Sequence, residues 1–351
     1  MKELEYPFDA AYIIKKRKSL KKALLADGTS RIRKKIAVFG GSTTSDIVKT
    51  LELFLLDAGI EPEFYESEYA QYFQDAMFPD ETLLSFKPDI VFIHTTNRNV
   101  TDWPEMTDTT EQIDEKLHTE INRFTAMWKS IAEKFHCPII QNNFEMPLYR
   151  LLGSRDAWDI HGRTNFLTRL NKAFYAYARE NESFYIHDLN FVSADYGLKE
   201  WLNPLFWNMY KYAMCFEAIP SFAFSVSHII KSIFGKNKKA LALDLDNTLW
   251  GGVVGDDGVD GIEIGQETGV SQSYYEFQTY VKQLKSLGIV LTVCSKNDHE
   301  NAIAGLNHPE GALRPDDFVI IKANWENKDR NIAETAAELN TQERMMACID
   351  I

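Results

Sequence analysis

The sequence predicts an α/β protein with two domains, each a mostly parallel sheet flanked by helices. Short apolar runs alternate with longer amphipathic stretches along the chain, and this alternation is typical of parallel sheets. Several of the runs end abruptly in polar residues, as buried parallel strands often do where a ligand binds. A chain of 351 residues is also long for a single hydrophobic core, which indicates two domains.

The first domain is predicted to span residues 36–235, after a basic helical segment at 1–35. That segment contains an amphipathic pattern near 9–26, which predicts one helix. The predicted strands, which are short apolar runs, are 35–39, 63–66, 89–94, 138–141 and 184–187. Helices are predicted where apolar residues recur at helical spacing. These segments are one from about 45 to 58, and 110–135, 163–180 and 222–234.

The second domain is predicted to span residues 236–351, after a linker rich in glycine and lysine. Its three apolar runs predict buried strands, and these lie at 240–244, 289–294 and 345–350. Helices are predicted at 273–287 and from about 328 to 339. The glycine-rich stretch 251–258, followed by the apolar Ile262 and Ile264, predicts a short hairpin flap over the end of the first of these strands.

Charge and composition exclude several classes of protein. Residues 1–35 carry 11 Lys and Arg against 4 Asp and Glu, whereas the whole chain has a net charge of −13. The basic segment is either a docking surface for an acidic partner or a solvated helix face. The chain has no interleaved basic and aromatic stretches, so we expect no nucleic-acid partner. Its most apolar window, 213–235, is interrupted by Glu217, Pro220 and Lys231, so we expect no membrane span.

The cysteines indicate a reduced, cytoplasmic protein. They lie far apart and form no C-x-x-C pair, which argues against a zinc site and against a disulfide framework. The first residues also lack the apolar core of a signal peptide. The four positions are Cys137, Cys215, Cys294 and Cys348.

Two carboxylates, Asp244 and Asp246, follow the first strand of the second domain. Residues two apart on a strand share a face, so both should lean toward one crevice. Neighbouring carboxylates can hold Mg²⁺ through hard oxygen ligands, or divide the roles of nucleophile and acid. The alternative is a strand that ends in a solvated acidic turn.

Further polar residues follow the other strands in chain order. Ser295 and Asn297 follow the second strand, Lys328 opens a helix, and Asp350 ends the third strand. Taken singly, Ser295 is a turn serine, Asn297 a helix cap and Lys328 a surface lysine. Their order behind the Asp244 strand favours one shared site at the carboxyl ends of these strands.

The ordered set resembles the haloacid dehalogenase (HAD) superfamily, and more narrowly its FkbH-like branch. The residues that carry the resemblance are Asp-Leu-Asp-Asn-Thr-Leu-Trp from Asp244, Ser-Lys-Asn from Ser295 and Asn-Trp-Glu-Asn-Lys up to Lys328. The resemblance implies a Rossmann-like fold for the second domain and a phosphatase or phosphotransferase activity.

On that resemblance, Asp244 is the nucleophile that becomes an aspartyl phosphate, and Asp246 is the general acid and base. Mg²⁺ would be held by the Asp244 carboxylate, the Asp246 main-chain carbonyl and Asp350. Family members commonly have further acids at this last motif, whereas only Ile351 follows here. Either the sequence is a fragment or its metal site has fewer ligands than usual.

The resemblance also assigns the phosphate-binding groups. Ser295 and Asn297 would hydrogen-bond a phosphoryl oxygen, Lys328 would neutralise its developing charge, and Thr248 would brace the turn. FkbH-like proteins are associated with a phosphorylated glyceryl unit that is loaded on an acyl carrier protein, which is therefore the candidate partner. The alternatives are a free-standing small-molecule phosphatase and a degenerate module that only binds the carrier.

The first domain is similar to the SGNH hydrolase fold, which has a flavodoxin-like arrangement of strands. Ser42 follows its first strand and Asn97 follows a later one, so these two residues form a tentative second site for ester chemistry. Gly41 stands where such enzymes usually have Asp, and the chain has no D-x-x-H triplet. A scaffold role for this domain is the alternative.

Overall fold

A computed structural model describes residues 1–341 and 345–349 of the chain. The chain divides into two compact units, residues 1–235 and 236–351. Each unit holds one sheet in which every strand pair is parallel, with helices beside it. The predicted α/β class with two mostly parallel, helix-flanked sheets is confirmed.

The first unit has five strands and ten helices among its described residues. The strands are β1 (Ile32–Gly40), β2 (Ile60–Glu66), β3 (Ile90–His94), β4 (Ile139–Asn142) and β5 (Phe184–His187). The helices are α1 (Ala10–Ala26), α2 (Ser45–Asp57), α3 (Tyr72–Met77), α4 (Glu81–Phe86), α5 (Thr110–Phe135), α6 (Arg163–Glu180), α7 (Leu189–Tyr196), α8 (Leu198–Trp201), α9 (Pro204–Tyr210) and α10 (Ile219–Ile233).

Alternation along β1 explains the layers of the first unit. Ile36 and Val38 point to a core shared with α2 and α10, while Ala37 and Phe39 point to a core shared with α5 and α6. All four side chains are fully buried, as expected for a parallel strand covered on both faces. Residues 36–39 of this strand are therefore all apolar.

The strand order of this sheet is β2-β1-β3-β4-β5. The chain moves outward in one direction from β1 to β2 and in the other from β3 to β5. The order reverses between β1 and β3, and ligands of open α/β sheets bind at the carboxyl ends of the strands beside such a point. Ser42 follows β1 and Asn97 follows β3, so both lie near this reversal.

The second unit has four strands in the order β8-β7-β6-β9. They are β6 (Ala240–Leu243), β7 (Val290–Ser295), β8 (Ile320–Ala323) and β9 (Met346–Ile349). Its described helices are α11 (Val254–Asp257), α12 (Gly269–Ser286), α13 (His299–Leu306) and α14 (Lys328–Glu338). The carboxyl ends of β6 and β7 are central in this sheet, and they deliver Asp244 and Ser295 to one edge.

The predicted hairpin flap is found only in part. Gly251 and Glu263 form one antiparallel bridge, as the arms of a hairpin would, but residues 254–257 between them form the short helix α11. The Asp257 carboxylate accepts a hydrogen bond from the backbone N–H of Val253 at 2.8 Å, which favours a helical turn over a strand. Gly258 ends the turn with a φ of 70°.

Strand β8 was not predicted from the sequence. It has four residues, three of them half-buried, and it lies at the edge of the sheet, so its apolar pattern is weak. Several short helices, such as α3 and α9, were missed for the same reason of length. In the part of the chain that the structure describes, no helix is long and apolar enough to cross a membrane.

Candidate active site

Asp244 and Lys328 form the centre of the candidate site in the second unit. Asp244 follows β6, and its backbone N–H donates to the Ile349 carbonyl at 3.0 Å. Lys328 is the first residue of α14, whose start is capped by the Asn327 side chain. The Lys328 Nζ donates to Asp244 Oδ2 at 2.8 Å, with both side chains mostly buried. The fold thus holds a cation beside the predicted nucleophile.

The Asp246 carboxylate is fixed by three N–H donors. Its Oδ1 accepts from the Trp250 indole at 2.9 Å and from the Val254 backbone at 3.0 Å, and its Oδ2 accepts from Asn297 Nδ2 at 2.7 Å. A carboxylate offers about four lone-pair positions, so one position on Oδ2 stays open for a proton or a substrate. Val254 opens the short helix α11, so the helical turn within the predicted flap helps to orient this group.

Trp250 is the last residue of the motif that begins at Asp244, and no role for it was predicted from the sequence. Its ring is buried, and it packs against Gly305 of α13. A Cβ atom added at Gly305 would lie 2.8 Å from the ring carbon Cη2. The only sequence signal for the contact is a glycine inside a helix, which often marks a close approach.

Ser295, Asn297 and Thr248 lie around the two aspartates in the fold. Ser295 is buried at the end of β7, and its carbonyl accepts the Asn324 backbone N–H at 3.1 Å. The Asn297 amide donates to Asp246 Oδ2, a contact that was not predicted, and its role as a phosphate ligand stays a prediction. Thr248 is buried in the turn after β6, where its backbone N–H donates to Leu245 at 3.1 Å.

The predicted third metal ligand, Asp350, lies outside the described residues. Within residues 1–341 and 345–349, no group of three or more His, Cys, Asp or Glu side chains is arranged to hold a metal ion. The donors near the site are the carboxylate of Asp244 and the oxygens of Asp246. Mg²⁺ commonly binds one or two carboxylates together with water and substrate phosphate, so this donor set fits it.

The tentative second site, Ser42 and Asn97, is only partly assembled. The Ser42 hydroxyl is buried and has no hydrogen-bonding partner among the described residues. Asn97 bonds the Glu145 main chain and side chain instead of reaching toward Ser42. Asn99, which was not predicted, ties the turn after β1 through its Nδ2, which donates to the Gly41 carbonyl at 3.0 Å.

No histidine in the described part of the chain hydrogen-bonds the Ser42 hydroxyl. His94 and His187 are joined through Asn142, whose amide bonds the Nδ1 atom of each ring at 2.9 and 2.8 Å. Burial lowers the pKa of both rings to about 3, so both are neutral. His94 and His187 therefore belong to a buried network.

Glu145 is a buried acid that the sequence did not point to. It lies just after β4, and its Oε2 accepts from the Asn97 backbone N–H at 3.2 Å. Burial raises the pKa of Glu145 to about 8, so the carboxyl group is mostly protonated at neutral pH. The loop after β4 has no periodic pattern that would have predicted a buried glutamate there.

Comparisons with known proteins extend over both units. A family model described as FkbH, N-terminal domain, matches residues 35–231, which is more than half of the chain. A crystal structure of the N-terminal part of a Bacteroides fragilis protein, described as containing a phosphatase domain and complexed with Mg, is 29% identical. That match covers 95% of this chain and 88% of that chain, with a TM-score of 0.84. The resemblance to FkbH-like proteins is confirmed.

Other similarities are much weaker. A gut microbial diltiazem-metabolizing enzyme is 12% identical over 62% of this chain and 52% of that chain, with a TM-score of 0.36. The C-terminal catalytic domain of the Streptococcus pneumoniae peptidoglycan O-acetyltransferase A is 12% identical over 59% of this chain and 94% of that chain, with a TM-score of 0.29. Both TM-scores are too low to support an argument. No curated protein matches the sequence.

Proposed function

Because the chain belongs to the FkbH N-terminal domain family, we propose that it is a Mg²⁺-dependent phosphatase or phosphotransferase of the HAD type. The reaction proceeds through an aspartyl phosphate on Asp244. The similar Bacteroides fragilis protein, with its phosphatase domain in complex with Mg, supports this proposal. In domain terms we propose an SGNH-like domain at 36–235 and a HAD-like domain at 236–351. The basic segment at 1–35 contributes α1 and the start of β1 to the first unit and is therefore part of it.

The observation that carries the proposal is the 2.8 Å contact between Lys328 and Asp244. An ammonium at this distance lowers the cost of bringing an anionic phosphoryl group to an anionic carboxylate. The two residues lie far apart in the sequence. Asp244 follows β6 and Lys328 starts the helix after β8, so both lie at the carboxyl edge of the sheet, where open α/β sheets bind their ligands. A solvated surface lysine would not be held in this way.

In the first step, an Asp244 oxygen attacks phosphorus and the bond from phosphorus to the substrate oxygen breaks. Asp246 gives its proton to the leaving oxygen. In the second step, water attacks the aspartyl phosphate, Asp246 takes the proton of that water, and inorganic phosphate leaves Asp244. Asn297 and Trp250 keep the Asp246 carboxylate in one orientation through both steps.

Mg²⁺ would be held by the Asp244 carboxylate and the Asp246 carbonyl, with Asp350 as the third proposed ligand. When bound, the ion offsets the negative charge of the phosphoryl group. Lys328 and the metal would then share the neutralisation of the substrate. Ser295 completes the proposed set as a hydrogen-bond donor to a phosphoryl oxygen.

We also propose a phosphorylated glyceryl-type substrate and transfer of the glyceryl unit to an acyl carrier protein. The carrier would dock on exposed lysines of α1. Arg17 and Lys21 of this helix are engaged internally with Asp46 and Glu52. The remaining basic side chains of the helix point to solvent, and they are Lys15, Lys16, Lys18 and Lys22.

The alternatives are a free-standing small-molecule phosphatase and a degenerate module that only binds its carrier. A phosphatase assay with p-nitrophenyl phosphate, with Mg²⁺ or with EDTA, separates enzyme from binder. We expect turnover only with Mg²⁺ and none in Asp244→Asn. Incubation with a glyceroyl phosphate donor and a carrier protein then tests the transfer, in which the carrier thiol takes the glyceroyl group and phosphate leaves. Phosphatase activity without an acylated carrier would favour the free-standing enzyme.

A further inference from the structure

The first unit contains a cleft that the phosphatase proposal does not use. It has a volume of about 330 Å³ and lies beyond the carboxyl ends of β3 and β4. This volume is at the small end of the range for ligand sites, so it suits a small molecule. Its walls include Asn97 and Tyr149 together with two arginine–tryptophan pairs, which are Arg98 with Trp207 and Arg163 with Trp103.

Each arginine in the cleft is stacked on an indole ring. The Arg98 guanidinium lies 5.0 Å from the Trp207 ring centre, and the Arg163 guanidinium lies 4.9 Å from that of Trp103. Stacking fixes the plane of a guanidinium and leaves its N–H edge available in that plane. Such an edge matches the two oxygens of a carboxylate or a phosphate.

Neither arginine has an anionic partner in the described residues. Arg98 and Arg163 take part in no salt bridge there, whereas the similar stack of Arg155 on Trp158 has its guanidinium paired with Asp159 at 2.6 Å. Two unpaired cations facing one cleft repel each other unless an anion lies between them.

The acid nearest to this wall does not cancel the charge. Glu145 accepts from the backbone N–H of Asn97. Burial raises its pKa to about 8 and outweighs the Arg98 charge, which favours the ionised form, so the group is mostly neutral at pH 7. The cleft therefore keeps the charge of its two arginines. Apolar contact comes from the indoles and from Leu148 and Leu202.

We propose that this cleft binds a small organic anion, whose carboxylate or phosphate group lies between Arg98 and Arg163 and whose apolar part contacts Trp103 and Trp207. The site belongs to the first unit, whereas Asp244 belongs to the second, and it needs no nucleophile. Ser42, the tentative nucleophile of the first unit, does not line the cleft. The role of the first unit is then recognition of an anion.

The test is a titration of the full chain with benzoate and with phenyl phosphate. It uses the Lys328→Met background in EDTA, which removes the cation of the other candidate phosphate site. Binding is followed by calorimetry and by the indole N–H signals of Trp103 and Trp207, assigned with Trp→Phe variants. Benzoate binding alone identifies a carboxylate ligand, phenyl phosphate alone a phosphate ester, and both identify the anion as the shared feature.

We expect Arg98→Gln and Arg163→Gln each to weaken binding at least about tenfold, since each removes a charge-assisted hydrogen-bonding group. Arg155→Gln is the matched control because it removes a stacked arginine outside the cleft, and it should bind as the parent does. Arg98 and Arg163 are both exposed, so neither variant should disturb the fold, and each is an independent test if the other folds poorly. No binding of either probe at millimolar concentration, or equal binding in the Arg163→Gln variant, overturns the proposal.

Discussion

The ammonium of Lys328 donates to the carboxylate of Asp244 at 2.8 Å, although 84 positions separate the two residues in the chain. One residue follows a central strand, and the other starts a helix after the edge strand β8. The pair exists only when β6, β7 and β8 lie side by side. It therefore reports both the fold of the second unit and the assembly of its candidate site.

Replacement of Asp244 by asparagine should remove the phosphatase activity. An amide is not a nucleophile, so no aspartyl phosphate forms, and we expect turnover of p-nitrophenyl phosphate to fall at least about a thousandfold. The melting temperature of the variant shows whether the fold is kept without the Lys328 partner. Residual turnover within tenfold of the parent would mean that another group attacks phosphorus.

Replacement of Lys328 by methionine should lower kcat by about a hundredfold, because a preorganised cation at the phosphoryl group is lost. Methionine keeps much of the length of the side chain. Lys322→Met is the matched control, since Lys322 pairs with Glu334 and Glu338 away from the aspartates. We expect the control variant to keep the parent kcat. Equal losses in both variants would indicate a general effect of charge on stability.

Replacement of Gly305 by alanine should disturb Asp246 indirectly, through the ring of Trp250. The new Cβ meets the buried Trp250 ring, so the ring must shift and its bond to Asp246 weakens. We expect a loss of about 1–3 kcal/mol in the free energy of unfolding and a lower kcat. Gly269→Ala is the control, because no atom lies within 4 Å of its added Cβ.

The kinetics of Gly305→Ala distinguish a positioning effect from a loss of stability. A displaced Asp246 is a poorer acid, so kcat should fall more than KM changes, and the pH profile of kcat should shift. Unfolding alone would lower the amount of active enzyme without moving that profile. An unchanged pH profile would therefore assign Trp250 a packing role only.

Glu145 makes the stability of the protein depend on pH. Its pKa is raised from 4.5 to about 8, so the folded state binds more protons than the unfolded state between these values. The free energy of unfolding should therefore fall as the pH rises from about 5 to 8. Glutamine has no ionisable proton, so the stability of Glu145→Gln does not depend on this group. The variant should be more stable than the parent protein at pH 8, by on the order of 3 kcal/mol.

Denaturant unfolding at pH 5 and pH 8 checks the Glu145 prediction. We expect the difference between parent and variant to be small at pH 5 and to grow toward pH 8. Glu180→Gln, which changes an exposed residue of the same unit, should give the same small difference at both values. If the difference in the free energy of unfolding between the parent and Glu145→Gln is the same at pH 5 and pH 8, the carboxyl group is already ionised in the folded state at pH 5.

The sequence predicted the strands where they contain an apolar run. Residues 36–39 of β1, residues 90–93 of β3 and all of β6 are such runs, and the polar residues after these strands could be located directly, whereas the first residues of β1, which include Arg33 and Lys34, were missed. Strand β8 was missed because half-buried edge residues carry no such run. Helix α11 was missed because glycines favour several turn types, and the choice between them depends on the Asp257 and Asp246 carboxylates.

The candidate site also contains residues that could be predicted from the sequence and residues that could not. Asp244 and Lys328 could be named because strand ends and helix starts are visible in the sequence. The donors to Asp246 could not be foreseen, since Trp250 and Val254 reach it only after the loop has folded. Arg98 and Arg163 come from separate segments of the first unit, and only the tertiary fold brings them to one cleft.

The pairing of β6 with β9 sets an order of events during synthesis. Leu243 pairs with Ile349, so the strand that carries the predicted nucleophile gains its second neighbour only after residue 349 has left the ribosome. The first unit contains all of its own strand partners much earlier in the chain. A growing chain can thus complete its first unit while the strand that carries the candidate site is still open on one side.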